Sequence, residues 1–170
     1  MDKILTQVYE KLQKLVGLHR QLLEAVRTER ESLVQADLSA IHSVTSHKQA
    51  LLGSIHQVES ERLRAMGELA VLWKKPFKEL TLPHLIIQIQ GHDAKGAEQL
   101  RTAYNTLKLL IQRIPEQNQD NRALIEQSLG HLHNMKKNIL GETVPRSNTY
   151  THQGQQKSRP QVSRLLSKEA

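Results

Sequence analysis

Histidine and carboxylate side chains are the main candidates for chemistry in this chain, because it has nine histidines and no cysteine. The absence of cysteine excludes zinc-cysteine sites, disulfides and thiol nucleophiles. On a helix, His131 and His133 face different directions, and His42 and His47 are five residues apart, without a carboxylate at ligand spacing. We therefore expect no metal and no other cofactor.

Acidic residues also fail to form a catalytic pattern. Glu59, Glu61 and Glu68 lie beside Arg62 and Arg64 on a predicted helix, which is typical of surface ion pairing. The sequence has no glycine-rich phosphate loop, no Gly-x-Ser-x-Gly elbow and no zinc-protease motif. We therefore predict that the protein is not an enzyme.

Composition predicts an all-α protein with long helices. Aromatic residues make up 3% of the 170 residues, and there are 8 glycines and 5 prolines. The net charge of +7 is spread along the chain, with five basic and two acidic residues in 141–170, so solvated helix faces and a basic tail explain it better than nucleic-acid binding. No apolar run is long enough to span a bilayer, and no signal peptide is present, so we expect a cytoplasmic protein without membrane insertion.

Apolar residues spaced by three and four positions predict a long first helix, over about 2–35. Asp37 is a plausible N-cap for a second helix, and Lys74-Lys75-Pro76 ends that helix. Two helices of similar length joined by a tight link predict an antiparallel hairpin. The first apolar stripe is Leu5, Val8, Leu12, Leu15, Leu22, Val26 and Leu33, with His19 and Glu29 at positions that the same spacing would fill with apolar residues.

Between residues 74 and 95 the sequence predicts a loop, one short helix and a second break. A third helix is predicted over about 94–113 and a fourth over about 119–140, with Pro115 ending one or opening the next. The helical domain thus covers residues 1–140, and residues 141–170 form a flexible basic tail.

Two surfaces are candidates for binding other proteins. The apolar stripe of the fourth helix either seals the bundle or receives a partner helix, and periodicity leaves both open. Tyr150 is an aromatic residue in a polar tail, which suits an interface anchor, although it could equally fold back or have no role. The stripe consists of Leu124, Ile125, Leu132, Met135 and Ile139.

Several segments together resemble the FlgN family of flagellar type III export chaperones. They are the long first helix, Lys48-Gln-Ala-Leu-Leu52 in the second, Asn118-Gln-Asp-Asn-Arg-Ala-Leu-Ile125, and a Thr-Tyr-x-x-x-Gly-Gln ending at Gln155. The tail departs from the common Tyr-Gly, because Thr151 follows Tyr150, and 73–91 matches no pattern of the family.

The resemblance implies an export chaperone that binds the hook-filament junction proteins FlgK and FlgL and delivers them to the gate protein FlhA. It assigns cargo binding to the fourth-helix stripe, and gate docking to Tyr150 and Gly154. A structural or adaptor coiled coil that scaffolds a complex remains the alternative, and the sequence leaves open whether the free protein forms a homodimer.

Overall fold

The first two helices form an antiparallel hairpin. A computed structural model describes residues 2–140, with α1 at Asp2–Val34 and α2 at Leu38–Leu72. Lys11 of α1 pairs with Glu61 of α2, and Glu29 pairs with Lys48, so residue numbers rise along one helix as they fall along the other. The predicted hairpin is confirmed.

A three-residue link closes the hairpin. The N–H of Asp37 donates to the carbonyl of Ser32 and the N–H of Ala36 to that of Leu33, which is the Schellman pattern that ends many helices. Ala36 has φ 55°, where glycine is usual. Asp37 then caps α2, because its carboxylate accepts from the N–H of Ala40 at 3.0 Å.

The predicted stripe of α1 is largely the core of the bundle. Its central residues are 5% exposed or less, Leu5 packs against the core, and Leu33 is half-buried. The corresponding stripe of α2 is buried at Leu51, Val58, Met66 and Leu69. The α1 residues at the centre are Val8, Leu12, Leu15, Leu22 and Val26.

The segment after α2 contains two short helical elements. Trp73 caps the C-terminus of α2, a 3₁₀ turn follows at Phe77–Glu79, and α3 covers Leu82–Ile89. Thr81 caps α3, and Leu85, Ile86 and Ile89 of α3 join the hydrophobic core. The predicted loop and short helix are therefore present.

The remaining described residues form one helix, α4, at Ala94–Leu140, with Pro115 inside it. The prediction of two helices separated at Pro115 is wrong. Proline removes the N–H that would bond to the carbonyl of Ile111, but both residues lie on the exposed side of α4, where water can satisfy that carbonyl. Ile114 and Asn121 are both buried, so packing on either side of Pro115 favours a continuous helix.

No strand occurs among residues 2–140, and the predicted all-α class is confirmed. The chain divides into two compact units after Ser128. The first contains α1–α3 and α4 up to Ser128; the described part of the second is the α4 segment 129–140.

Candidate partner-binding surface

The predicted stripe of the last helix is accessible in the structure. Leu124 is half-buried, and Ile125 is 40% exposed. In the second unit, Leu132 is 62%, Met135 57% and Ile139 78% exposed. Periodicity left open whether these residues seal the bundle, and in residues 129–139 every described side chain is exposed.

Leu129 continues the predicted stripe and was missed in the sequence prediction. It is 60% exposed and lies four residues after Ile125 and three before Leu132, the spacing that places side chains on one helix face. On an ideal helical wheel, at about 100° per residue, the sequence spacing of these six apolar residues corresponds to an arc of about 140°. We call Leu124, Ile125, Leu129, Leu132, Met135 and Ile139 the distal face.

The distal face repeats the spacing of the buried face of α4. Leu100, Leu107, Ile114 and Asn121 recur every seven residues and are 8% exposed or less. Two further steps of seven reach Ser128 and Met135. The sequence thus continues an apolar seam along α4 past Asn121, the last buried residue described.

α1 ends a short distance beyond the point at which burial of α4 stops. The side-chain amide of Asn121 contacts Val26, and α1 ends eight residues later, at Val34. At 1.5 Å per residue, only about 12 Å of α1 remains past that contact. Burial of α4 thus falls over the last two turns of α1, from Asn121 through the half-buried Leu124 to the exposed Ile125.

A polar network fixes α4 on the hairpin at that point. Asn121 Nδ2 donates to the carbonyl of Val26 at 2.9 Å and to Glu29 Oε2 at 3.0 Å. Lys48 Nζ donates to the same Glu29 oxygen at 2.8 Å and to Asn118 Oδ1 at 3.1 Å. The network therefore links α1, α2 and α4 immediately before the distal face.

The burial of this network makes its geometry specific. Asn121 is 3% exposed, and the Glu29 and Lys48 side chains are 16% and 18% exposed. A buried polar group is costly without partners, so sliding α4 along the hairpin would leave Asn121 unsatisfied and would take one of two donors from Glu29. The network also explains why Glu29 interrupts the apolar spacing of α1, because its partners come from two other helices.

Three of the charged residues considered as catalytic candidates, Glu59, Glu61 and Arg62, have structural partners. Arg62 forms two hydrogen bonds with Glu59, at 2.6 and 2.8 Å. Glu61 accepts from Lys11 and Gln57, and the hydrogen bond from Lys11 contributes most to lowering the pKa of Glu61 below its ordinary value of 4.5. The contact from Lys11 joins α1 to α2, whereas the contacts of Arg62 and Gln57 lie within α2 on the surface of the hairpin.

Histidines do not assemble with carboxylates in the described part of the chain. No group of three or more histidine or acidic side chains within residues 2–140 has a geometry suited to a metal ion. His19, which also interrupts the α1 spacing, hydrogen-bonds through Nδ1 to the carbonyl of Leu15 at 2.8 Å. Tyr150 and Gly154 lie outside the described residues.

Comparison with known families identifies the group to which this arrangement belongs. The family described as FlgN protein matches residues 1–158, which includes all four helices, Tyr150 and Gly154. The chain belongs to the FlgN family. Its members are flagellar export chaperones, so the predicted resemblance and the general chaperone role are confirmed.

Other comparisons add no individual relative. Neither a curated protein nor a solved structure matches the chain at a significant level. Among the described helices, none is both long and apolar enough to cross a bilayer. The family assignment therefore depends on the sequence profile, while the structure supplies the geometry of the surfaces.

Proposed function

We propose that this FlgN family member acts in the cytoplasm, where it binds the terminal helices of the junction proteins FlgK and FlgL through the distal face of α4. The supporting observation is the apolar seam of α4, which is buried up to Asn121 and exposed from Ile125 to Ile139. An apolar helix face without a partner is suited to pair with another amphipathic helix.

The proposed mechanism is masking. Junction proteins polymerise through amphipathic termini, and a complementary helix that covers those termini prevents assembly before export. Binding has to be reversible, so we expect a dissociation constant between about micromolar and nanomolar, which corresponds to a binding free energy of about 8–12 kcal/mol. Covering an aliphatic side chain contributes about 1.5–3 kcal/mol at most, so several residues of the distal face must act together.

The decisive experiment introduces charge into the centre of the distal face. Leu132→Glu with Met135→Glu should abolish binding of C-terminal cargo segments in a calorimetric titration while the circular dichroism spectrum stays helical, because two carboxylates cannot be buried without partners. Gln127→Glu with Asn134→Glu is the matched control, since it adds the same charge on the opposite face of α4 and should leave binding unchanged.

Equal cargo affinity of the distal-face variant and the wild type would show that cargo binds elsewhere. An equal loss of cargo affinity in both double variants would instead indicate a general effect of the added negative charge.

We further propose that Tyr150, together with Gly154, docks the loaded chaperone on FlhA. The family match extends through both residues, and Tyr combines a rigid aromatic ring with a hydroxyl group. Tyr150→Ala should weaken binding to the cytoplasmic domain of FlhA and leave cargo affinity unchanged. Unchanged gate affinity would exclude this docking role.

A further inference from the structure

The segment after α2 carries apolar side chains and lysines on the surface. Val71 is 80%, Leu72 52% and Phe77 49% exposed, and Ile87 of α3 is 67% exposed. Three lysines accompany them, at 74, 75 and 78, all exposed, with Glu79 as the one acid between residues 71 and 80. We call these four apolar residues and three lysines the basic-apolar patch.

The backbone holds the lysines in this arrangement. The N–H of Lys75 donates to the carbonyl of Ala70 at 3.0 Å and that of Lys74 to Val71 at 3.1 Å, which closes the end of α2. Lys74 has φ 52°, a conformation in which glycine is usual. The closing turn therefore presents a charged residue at a position where it costs conformational energy.

A side-chain contact connects the lysines to α3. Lys75 Nζ donates to Gln88 Oε1 at 3.1 Å, and Gln88 follows the exposed Ile87 in the sequence. Within residues 2–140, Lys74, Lys75 and Lys78 form no ion pair, so their charges are not neutralised by described carboxylates. The patch thus combines unneutralised positive charge with exposed apolar groups.

The other end of the hairpin provides a comparison within the same molecule. Val34 is 69% and Leu38 80% exposed there, but the residues between them are Gln35, Ala36 and Asp37, with no lysine or arginine. Exposed apolar residues alone therefore do not distinguish the two ends, which lie about 50 Å apart along the 35-residue α2. Positive charge distinguishes them.

We propose that the basic-apolar patch docks the chaperone reversibly on an anionic phospholipid bilayer. Lysines near an anionic leaflet are attracted by its surface potential, and aromatic and aliphatic side chains enter the headgroup boundary. Side chains from α2, the 3₁₀ turn and α3 project from separate elements, so a deformable lipid surface covers them more readily than a rigid acidic protein. This inference is independent of the cargo and gate assignments.

The experiment uses the full chain with two kinds of vesicle. One kind consists of phosphatidylcholine alone, and the other also contains about 30% phosphatidylglycerol, which gives a strong negative surface potential. Trp73 is the one tryptophan of the chain and adjoins Lys74, so lipids brominated on their acyl chains should quench its fluorescence when the patch binds. We expect binding and quenching with anionic vesicles, and little of either with neutral vesicles.

Variants separate the patch from the basic tail. Lys74→Gln, Lys75→Gln and Lys78→Gln together should lower vesicle affinity about 100-fold, since each lysine near an anionic surface contributes about fivefold. The charge-matched control is Lys157→Gln, Arg159→Gln and Arg164→Gln in the tail, which should retain quenching of Trp73.

A second pair of variants tests the apolar contribution. Leu72→Gln with Phe77→Gln should weaken binding about tenfold or more, whereas Val34→Gln with Leu38→Gln, at the other end of the hairpin, should have no effect. Absence of Trp73 quenching with anionic vesicles would overturn the proposal. Loss of vesicle binding in the tail variant alone would also overturn it, because it would show that the tail binds lipid. Binding of an acidic protein to the patch without any vesicle binding would also reject it.

Discussion

Replacing Asn121 tests whether the polar network fixes α4 on the hairpin. Asn121→Ala removes the hydrogen bonds to the carbonyl of Val26 and to the carboxylate of Glu29. The first bond joins neutral groups and contributes about 1 kcal/mol, and the second has a charged acceptor and contributes about 1.5–3 kcal/mol. Glu29 keeps Lys48, and alanine favours the helix by about 0.5 kcal/mol, so the net loss should be about 2–3.5 kcal/mol.

Urea unfolding followed by circular dichroism measures this loss. With a slope of about 2 kcal/mol per molar, the midpoint should fall by about 1–1.8 M, and Tm by about 5–10 °C. Gln119→Ala, at an exposed position of the same helix, should shift the midpoint by less than about 0.3 M.

A second substitution distinguishes hydrogen bonding from packing. Asn121→Leu fills the site without donating, so it should also be destabilising, since Glu29 loses a donor in a buried position. A midpoint for Asn121→Leu equal to the wild-type value would refute the reasoning, because it would show that an apolar side chain holds α4 equally well.

Two further predictions concern local features of the helices. Pro115→Ala should raise the free energy of unfolding, measured in urea, by about 1–2 kcal/mol, because alanine restores the N–H that donates to the carbonyl of Ile111 at an exposed position. An unchanged free energy of unfolding would mean that Pro115 does not strain α4. Glu61→Gln should flatten the acid side of the stability profile: the lowered pKa of Glu61 gives stability that is present above pH 4.5 and lost as pH falls through the folded-state pKa. Equal acid sensitivity of variant and wild type in unfolding measured from pH 7 to 3 would contradict that assignment.

The sequence predicted the helices well because their apolar spacing reports burial directly. The stripe of α1, the cap at Asp37 and the start near Ala94 were all confirmed. Pro115 was misjudged, since the local penalty of proline is visible in sequence whereas the packing of Ile114 and Asn121 on either side of it is not.

The candidate site could be predicted only in part from the sequence. Spacing identified Leu124, Ile125, Leu132, Met135 and Ile139 as one face but could not determine whether another helix covers it, because a buried seam and an exposed one have the same period. Their role in cargo binding, and that of Tyr150 and Gly154 at the gate, remain predictions, which the proposed variants test at Leu132, Met135 and Tyr150.

Periodicity, capping residues and family-specific segments by themselves determined the helical class and the chaperone family. The tertiary structure decided which parts of the apolar seam are buried, because burial depends on which residues of α4 pack against the hairpin. It also brought Glu29, Lys48 and Asn121 together from three helices, and Lys75 to Gln88 beside Ile87. These contacts join residues 13 to 95 positions apart, which leave no local pattern in the sequence. Only the folded chain could therefore reveal the network and the contact of Lys75 with α3.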